Sequence, residues 1–372
     1  MSSISVQPVR SKRERTEFIK FPWNIYRDNK FWVPPLLMDR RKLMDTEKNP
    51  FYRHAEAEFF IARKNGEPVG RIAAIINHNH NKEHNDRVGF FGFFESINEQ
   101  AVADALLQEA EAWLKERSMT IARGPANPSV NDEYGLLIDG FELPPTILMT
   151  YNPEYYLTLL ERAGFAKAKD LYAYLLRQTT VYSERFERVT NLVRQKTGLT
   201  FRSLNMNDFQ NEIKRIKKVY NGAWQYNWGA VPMTDEEFDA LANDLKPIVV
   251  PELVIMAEYK GELIGFGLSL PDLNMALKYN KKGYLLPGLY CMYRYKKLIN
   301  KVRIIVLGVL PEYQKTGAAT VLFYETASHA KKLGYDYGEA SWVLEDNVMM
   351  NRAAEMMNAE LYKTYRIYEK QL

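Results

Sequence analysis

The chain has 372 residues, 46% hydrophobic and 26% charged, with a single cysteine and a formal net charge of +4. That length and apolar content predict two domains, each with its own core. One cysteine excludes an internal disulfide and suits a reducing compartment, which leaves Cys291 a packing role. So small a charge argues against nucleic acid unless it is concentrated.

Residues 1–20 carry charge throughout and lack the apolar centre of a signal peptide, and no apolar run is long enough to span a bilayer. A cytoplasmic protein is expected. The aromatic and proline-rich stretch Asn29–Leu37 reads as an arm packed onto its own domain. Alternating apolar residues around a short glycine turn at Ile61–Arg71 predict a β-hairpin. His78, His80 and His84 have a spacing reminiscent of a metal cluster, but they sit in a polar Asn/Lys-rich stretch without thiolates, so a solvated loop and no metal are expected. A strand at Val88–Phe94, an Ala/Leu/Glu-rich helix over about 99–117 and a long Pro/Gly/Asn loop at 123–145 follow, and then a helix ending in Gly164-Phe165 and a strand at Asp170–Leu176.

The second half repeats this order. The hairpin Met256–Phe266 matches Ile61–Arg71, with both glycines displaced by 195 residues. Before it, Tyr220–Pro232 concentrates Trp224 and Trp228 with the amides of Asn221, Gln225 and Asn227, a composition able to close over a headgroup or sugar or to pack as core. From Leu273 to Pro311 there is no acidic residue, while lysines and arginines alternate with Tyr and Leu. Three readings of 273–303 remain open: peripheral contact with a membrane surface, the wall of an acyl-chain channel, or a helix covering its own core. Nucleic acid fits poorly, because long aliphatics interrupt any stacking platform. An apolar strand then runs through Val309 and Leu310 into Gln314-Lys315-Thr316-Gly317-Ala318-Ala319 and a helix. Small residues at a helix N-terminus form a cradle for an anionic pyrophosphate. A second strand, Tyr335–Leu344, leads to Glu345-Asp346-Asn347 and a further helix.

Strand, Gln-x-x-Gly-x-Ala turn, helix, strand, Asn and helix is the order in which the GNAT acyltransferase superfamily builds its acyl-CoA site, and the chain from about residue 253 onward resembles it. The resemblance implies an α+β protein of two tandem GNAT-like domains, 1–180 and 181–372, each a mixed, mostly antiparallel sheet flanked by helices. It implies that acetyl-CoA or a longer acyl-CoA is held by Val309, Leu310, Gln314, Lys315, Thr316, Gly317, Ala318, Ala319 and Asn347, with an oxyanion contact from a backbone N–H near Val309 or Leu310. The tyrosine that commonly protonates the thiolate in this family has its place seven residues after Asn347, where this chain has Ala354. The first copy has Ser96-Ile97-Asn98-Glu99-Gln100 in place of the cradle, with no glycine and a carboxylate that repels pyrophosphate, so one CoA per chain is expected.

Loop 123–145 either helps to form the acceptor side, through Asn127, Ser129 and Asn131, or braces the domain. Asn221, Trp224, Asn227 and Trp228 fall where the family covers its acceptor. Asp272, Glu339 and Glu345 are the carboxylates available to deprotonate an amine, with Glu339 and Ser341 on one strand face. The expected activity is N-acyl transfer from CoA to an amine by direct attack, the acceptor being a small molecule or a lipid. A long-chain N-acyltransferase acting on a lipid amine at the membrane surface, as in ceramide-type acylation, and a catalytically silent CoA-binding protein are the alternatives.

Overall fold

The computed structural model describes residues 4–181, 184–224 and 227–372, and the chain forms two compact units. Met1–Leu171, Leu277–Arg294 and Lys363–Leu372 make the first; Tyr172–Ala276 and Tyr295–Tyr362 make the second. A single cut at 180 therefore misses two later excursions of the chain into the first unit. Both units carry helices on a mixed sheet, the α+β class that the resemblance implies.

In the first unit β1 (Ile4–Pro8) leads to α1 (Lys12–Lys20), α2 (Pro22–Ile25) and α3 (Leu37–Leu43). A capping box starts α1: the Ser11 hydroxyl accepts from the Glu14 N–H at 3.2 Å, and the Glu14 carboxylate accepts from the Ser11 N–H at 2.8 Å. Strands β2 (Ala55–Lys64) and β3 (Glu67–Asn77) form the first hairpin, α4 (His78–His84) follows, and β4 (Val88–Ser96) precedes α5 (Gln100–Glu116). Then come β5 (Ile121–Gly124), β6 (Ala126–Asn127), β7 (Glu133–Tyr134), β8 (Leu136–Asp139) and α6 (Tyr155–Arg162), and β9 (Ala166–Arg177) begins in the first unit and ends in the second. β1–β4 pair antiparallel in order, β4 pairs parallel with β5, and α5 lays Val102, Leu106, Leu107 and Leu114 on the sheet. Gly70 suits this position, because a Cβ would lie 2.9 Å from the Glu95 carbonyl oxygen, a backbone atom that cannot turn aside.

The second unit contains α7 (Gln178–Val181), α8 (Glu184–Thr197), β10 (Leu199–Ser203), α9 (Phe209–Trp224), α10 (Asp235–Leu245), and the hairpin of β11 (Val254–Tyr259) and β12 (Glu262–Pro271). After α11 (Asn274–Leu277), the chain supplies α12 (Leu285–Arg294) to the first unit. It returns as β13 (Lys301–Val309), α13 (Ala318–Lys332), β14 (Tyr337–Leu344) and α14 (Val348–Met356); β15 (Glu360–Gln371) begins in the second unit and ends in the first. β10–β13 are antiparallel neighbours and β13 pairs parallel with β14. Phe209, Ile216 and Val219 of α9 cover one sheet face with Val254, Met256 and Phe266; Ala318 and Leu322 of α13 cover the other with Ile255, Ile264 and Val309.

The two hairpins share one device. Asn65 and Gly66 have φ of 53° and 87°, and Lys260 and Gly261 have φ of 52° and 84°. Two successive left-handed residues make the tight turn that matches strand twist, so each glycine is conformationally required.

The three histidines form a helix, α4, where a loop was expected. His78 Nε2 pairs with Glu56 at 2.9 Å, and His80 is buried with its ring edge-on to Phe90. No group of three His, Cys, Asp or Glu able to hold a metal occurs among the described residues. Burial, aided by the neighbouring His84 and Arg123, pushes the His80 imidazole down to about 3. A folded-state value below the unfolded one means that the unfolded chain binds the extra proton, so stability is full above about pH 6.5 and falls as the pH drops toward 3. Between pH 6.5 and 4 this group should cost about 3 kcal/mol. Urea midpoints measured against pH should show His80→Gln with a flatter acid limb than the native chain; parallel limbs would remove His80 as the cause.

Candidate active site

The site of the second unit is built on a parting of two strands. β13 and β14 pair from Lys301↔Tyr337 to Ile304↔Ala340 and no further, although they run on to Val309 and Leu344. On its other side β13 stays bonded to β12 as far as Gly265↔Val309, with a register shift at Leu268/Ser269. The gap between residues 305–309 and 341–344 thus presents a strand edge whose amides and carbonyls can pair with an extended ligand arm. Val309, Leu310 and the turn of residues 311–316 bound its open end.

That turn delivers the chain to α13 through Gly317, at φ 84°. The Thr316 hydroxyl donates to the Tyr313 carbonyl at 2.6 Å and accepts from the Ala318 N–H at 3.3 Å, fixing the first turn. Gln314 and Lys315 are exposed, Thr316, Gly317 and Ala319 half-buried, and Ala318 buried in the core. Main-chain N–H groups at a helix N-terminus beside small side chains suit an anionic phosphate. Val193 of α8 lies against Gly317, where a Cβ would come within 2.7 Å of its Cγ2.

At the closed end of the gap lies a buried polar network. Glu339 is fully buried, and Arg303, opposite it in the strand register, is 2% exposed. Arg303 Nε donates to Ser341 Oγ at 2.9 Å, and Ser341 Oγ donates to Glu339 Oε1 at 2.6 Å. The Tyr362 hydroxyl donates to Glu339 Oε2, and the guanidinium lies over the Trp342 ring. Ser341 is the first residue of β14 beyond the paired stretch, so its hydroxyl stands where the strands part. Leu268 and Leu270 share a face of β12, the former packed under α9 and the latter opposite Arg303; the network therefore lies on the sheet face that α9 covers.

The other carboxylates differ in position. Asp272 is buried and pairs with Lys301 at 3.2 Å, at the end of β13 remote from the turn. Glu345 is half-buried just past β14, and its carbonyl accepts from Asn351 Nδ2 at 3.0 Å. The Asn347 side chain accepts from the Met350 N–H at 3.1 Å and so caps α14. At the end of α9, the Trp224 ring fills the space where a Gly308 side chain would be, 2.2 Å from its notional Cβ, and Gly222 faces Leu310. Asn221 Nδ2 donates to the Met233 carbonyl at 3.3 Å, while its buried Oδ1 finds no donor among the described residues. The Asn227 N–H donates to the Trp224 carbonyl, and Trp228 is half-buried. Gln225 and Tyr226 lie outside the described residues. The structure thus brings Trp224 to Gly308 near the open end of the gap, with Glu339 and Ser341 at its closed end, while Asn221 bonds Met233.

A strand gap opening on a glycine turn at a helix N-terminus is the geometry that the sequence resemblance implies. The Acetyltransferase (GNAT) family matches residues 21–131 and 213–357, more than half of the chain. The chain belongs to the GNAT acyltransferase family. It is 36% identical, over its whole length and 98% of the relative's, to a protein of Caulobacter vibrioides named bacterial ceramide synthase, and 33% identical to Protein YghO of Escherichia coli over 97% of this chain and 94% of that one. A tandem GNAT protein from the clavulanic acid biosynthesis pathway superposes with a TM-score of 0.59 at 10% identity, over 99% of this chain and 98% of that one. A GCN5-related N-acetyltransferase from Sphaerobacter thermophilus gives 0.52 at 12%, over 99% and 95%. This GNAT protein is accordingly a tandem-fold acyltransferase, of a family that generally takes its acyl group from acyl-CoA.

The first GNAT copy has the same strand gap and fills it. β4 and β5 pair only from Val88↔Ile121 to Phe90↔Arg123. Beyond that point the Phe93 N–H donates to Asn127 Oδ1 at 2.5 Å, and the Ala126 carbonyl crosses Gly92 so closely that a Cβ would lie 1.7 Å from it. Where the second copy has its turn, Glu99 precedes α5 and its carboxylate binds Lys64 at 2.8 Å. Asn127 also donates to Glu133, the Ser129 hydroxyl donates to Asp132 at 2.6 Å, and the Asn131 N–H donates to Ser129 Oγ at 3.2 Å. Ala126 and Asn127 thus fill the first gap, and the other polar groups of the loop bond one another.

Position 354 is buried in the core with Met357 and Phe323, so an alanine fits packing there. Arg303 and Tyr362 were not singled out from sequence as members of a site. No local signal separates Arg303, because an arginine between Val302 and Ile304 in a strand reads as the solvent-facing position, whereas the fold buries it.

Proposed function

We propose that this GNAT enzyme transfers a long fatty acyl group from acyl-CoA to the primary amine of a lipid. The full-length similarity to a protein named ceramide synthase carries the choice of chain and acceptor, since a ceramide is the amide of a fatty acid with a long-chain amino alcohol. The open gap of the second copy beside its glycine turn, with the first gap plugged, supports a single acyl-CoA site.

In this reading residues 314–319 hold the pyrophosphate through main-chain N–H groups, with Lys315 adding positive charge, and the free edge of β13 pairs with the pantetheine arm. Acyl-CoA supplies the thioester carbonyl that the amine attacks. The N–H of Val309 or Leu310 polarises that carbonyl, and Trp224 with Asn221 bounds the acceptor side. Glu339 takes the amine proton through the Ser341 hydroxyl, which already donates to it at 2.6 Å. Asp272, paired with Lys301 at the remote end of β13, serves the fold in this reading. As the amide forms, the thioester C–S bond breaks, the thiolate takes the proton held at Glu339 by way of the Ser341 hydroxyl, and the amide and free CoA leave.

Thermal melts with equal concentrations of acetyl-CoA, palmitoyl-CoA and CoA should show the largest shift with palmitoyl-CoA, and a long-chain amino alcohol should be acylated in preference to a soluble amine. A larger shift with acetyl-CoA and turnover of the soluble amine would replace the lipid reading with acetyl transfer. No shift with any thioester would make the protein a catalytically silent member.

A further inference from the structure

The excursion of residues 277–294 has an amphipathic helix turned the unusual way round. In α12 the large apolar residues Leu286, Leu289, Tyr290 and Tyr293 recur at i, i+3, i+4 and i+7, the spacing that ordinarily faces a core. Here they are 76%, 47%, 64% and 74% exposed. The buried side of the helix is made of Gly288 and Cys291. Gly288 lies tight against the N-terminal arm, where a Cβ would be 3.0 Å from Leu36 Cδ2, and the Leu37 N–H donates to the Gly283 carbonyl at 2.8 Å. Trp23 Nε1 donates to the Lys281 carbonyl at 2.9 Å, so the excursion is anchored rather than dangling. Tyr284 and Leu285 extend the apolar strip, at 47% and 38% exposure.

Within the segment itself the charge has one sign. Lys281, Lys282 and Arg294 are exposed at its two ends, and no Asp or Glu occurs from Leu273 to Pro311. Further along the segment Arg303 is buried and Lys301 pairs with Asp272, so neither adds to this surface. A second protein would meet such a surface with a matching apolar groove and acidic rim. A bilayer meets it with no special shape: leucines enter the acyl boundary, tyrosines sit at headgroup level and lysines reach anionic phosphates.

We infer that α12 and its flanking lysines form a docking surface for an anionic lipid bilayer. The inference does not depend on the acyl-transfer reading, because vesicle binding is measured without turnover. In flotation assays the full chain should bind vesicles of phosphatidylcholine with phosphatidylglycerol, bind phosphatidylcholine alone far less, and lose binding as salt rises. Lys281→Glu with Lys282→Glu should weaken binding by roughly 30-fold, at about fivefold per basic residue near an anionic surface. Leu286→Ser with Leu289→Ser and Tyr290→Ser should weaken it at least tenfold while the melting temperature and acyl-CoA thermal shift stay unchanged, these side chains being exposed. A native chain that stays unbound at low salt would overturn the assignment. So would equal binding to neutral vesicles, or a concentration-dependent dimer without vesicle binding that the apolar triple variant abolishes.

Discussion

Arg303→Ala should be the most destabilising single change in the site, by about 3–5 kcal/mol, because it leaves Glu339 as a fully buried charge without its cation. Arg303 Nε and Nη2 also bond Ser341 through its hydroxyl and its carbonyl, at 2.9 and 3.2 Å, so the start of the gap loses its brace as well. Glu339→Gln keeps the shape but removes the acceptor for the Ser341 proton. It should lower kcat by about 100-fold or more, with little change in affinity for acyl-CoA. Urea unfolding of Arg303→Met, Glu339→Gln and the double variant closes the comparison: the double variant should cost less than the sum of the singles by about 1–3 kcal/mol. Additive costs would mean that the two residues do not act as a pair. Unchanged turnover in Glu339→Gln would leave the network a structural one and return Glu345, at the open end of β14, as the next candidate base.

The second large effect concerns the turn before α13. Gly317→Glu should weaken CoA binding by at least about 100-fold, equivalent to roughly 3 kcal/mol, through a carboxylate placed at the helix N-terminus. The substitution carries a folding cost as well, since φ is 84° and a Cβ meets Val193. Lys315→Glu separates the two effects: it is exposed and strain-free, and should weaken CoA by about tenfold with no loss of melting temperature. Calorimetry on the native chain should give one CoA per chain, given the occupied first gap. Two equivalent sites would show that Asn127 and Ala126 yield to ligand, and unchanged affinity in both variants would remove residues 314–319 from cofactor binding.

Much of this protein is written in local pattern. The paired glycine turns at 66 and 261, the strand before Gly317, the helix after it and the Asn347 cap each follow from residues within a few positions of one another. Period and turn chemistry act at that range, and so the tandem order of elements was readable without a structure. The absence of a cradle at Glu99 was equally local. What the sequence could not assign were matters of facing and of distant partners. Glu339 and Ser341 were read as sharing a strand face, but only the register that puts Arg303 beside Glu339, and the last strand that brings Tyr362, turn that face into a closed network. Loop 123–145 reads from its residues as either an acceptor-side loop or a brace; in the fold Asn127 Oδ1 accepts from the Phe93 N–H, thirty-four positions earlier, a contact that no local pattern shows. The segment after Leu273 was correctly seen as basic and apolar, yet its side chains divide between a buried arginine, a paired lysine and an outward apolar stripe. An amphipathic period says that a helix has two faces; which of them meets the protein is decided by what the rest of the chain has placed there, here an arm whose Leu36 comes so close that Gly288 faces it.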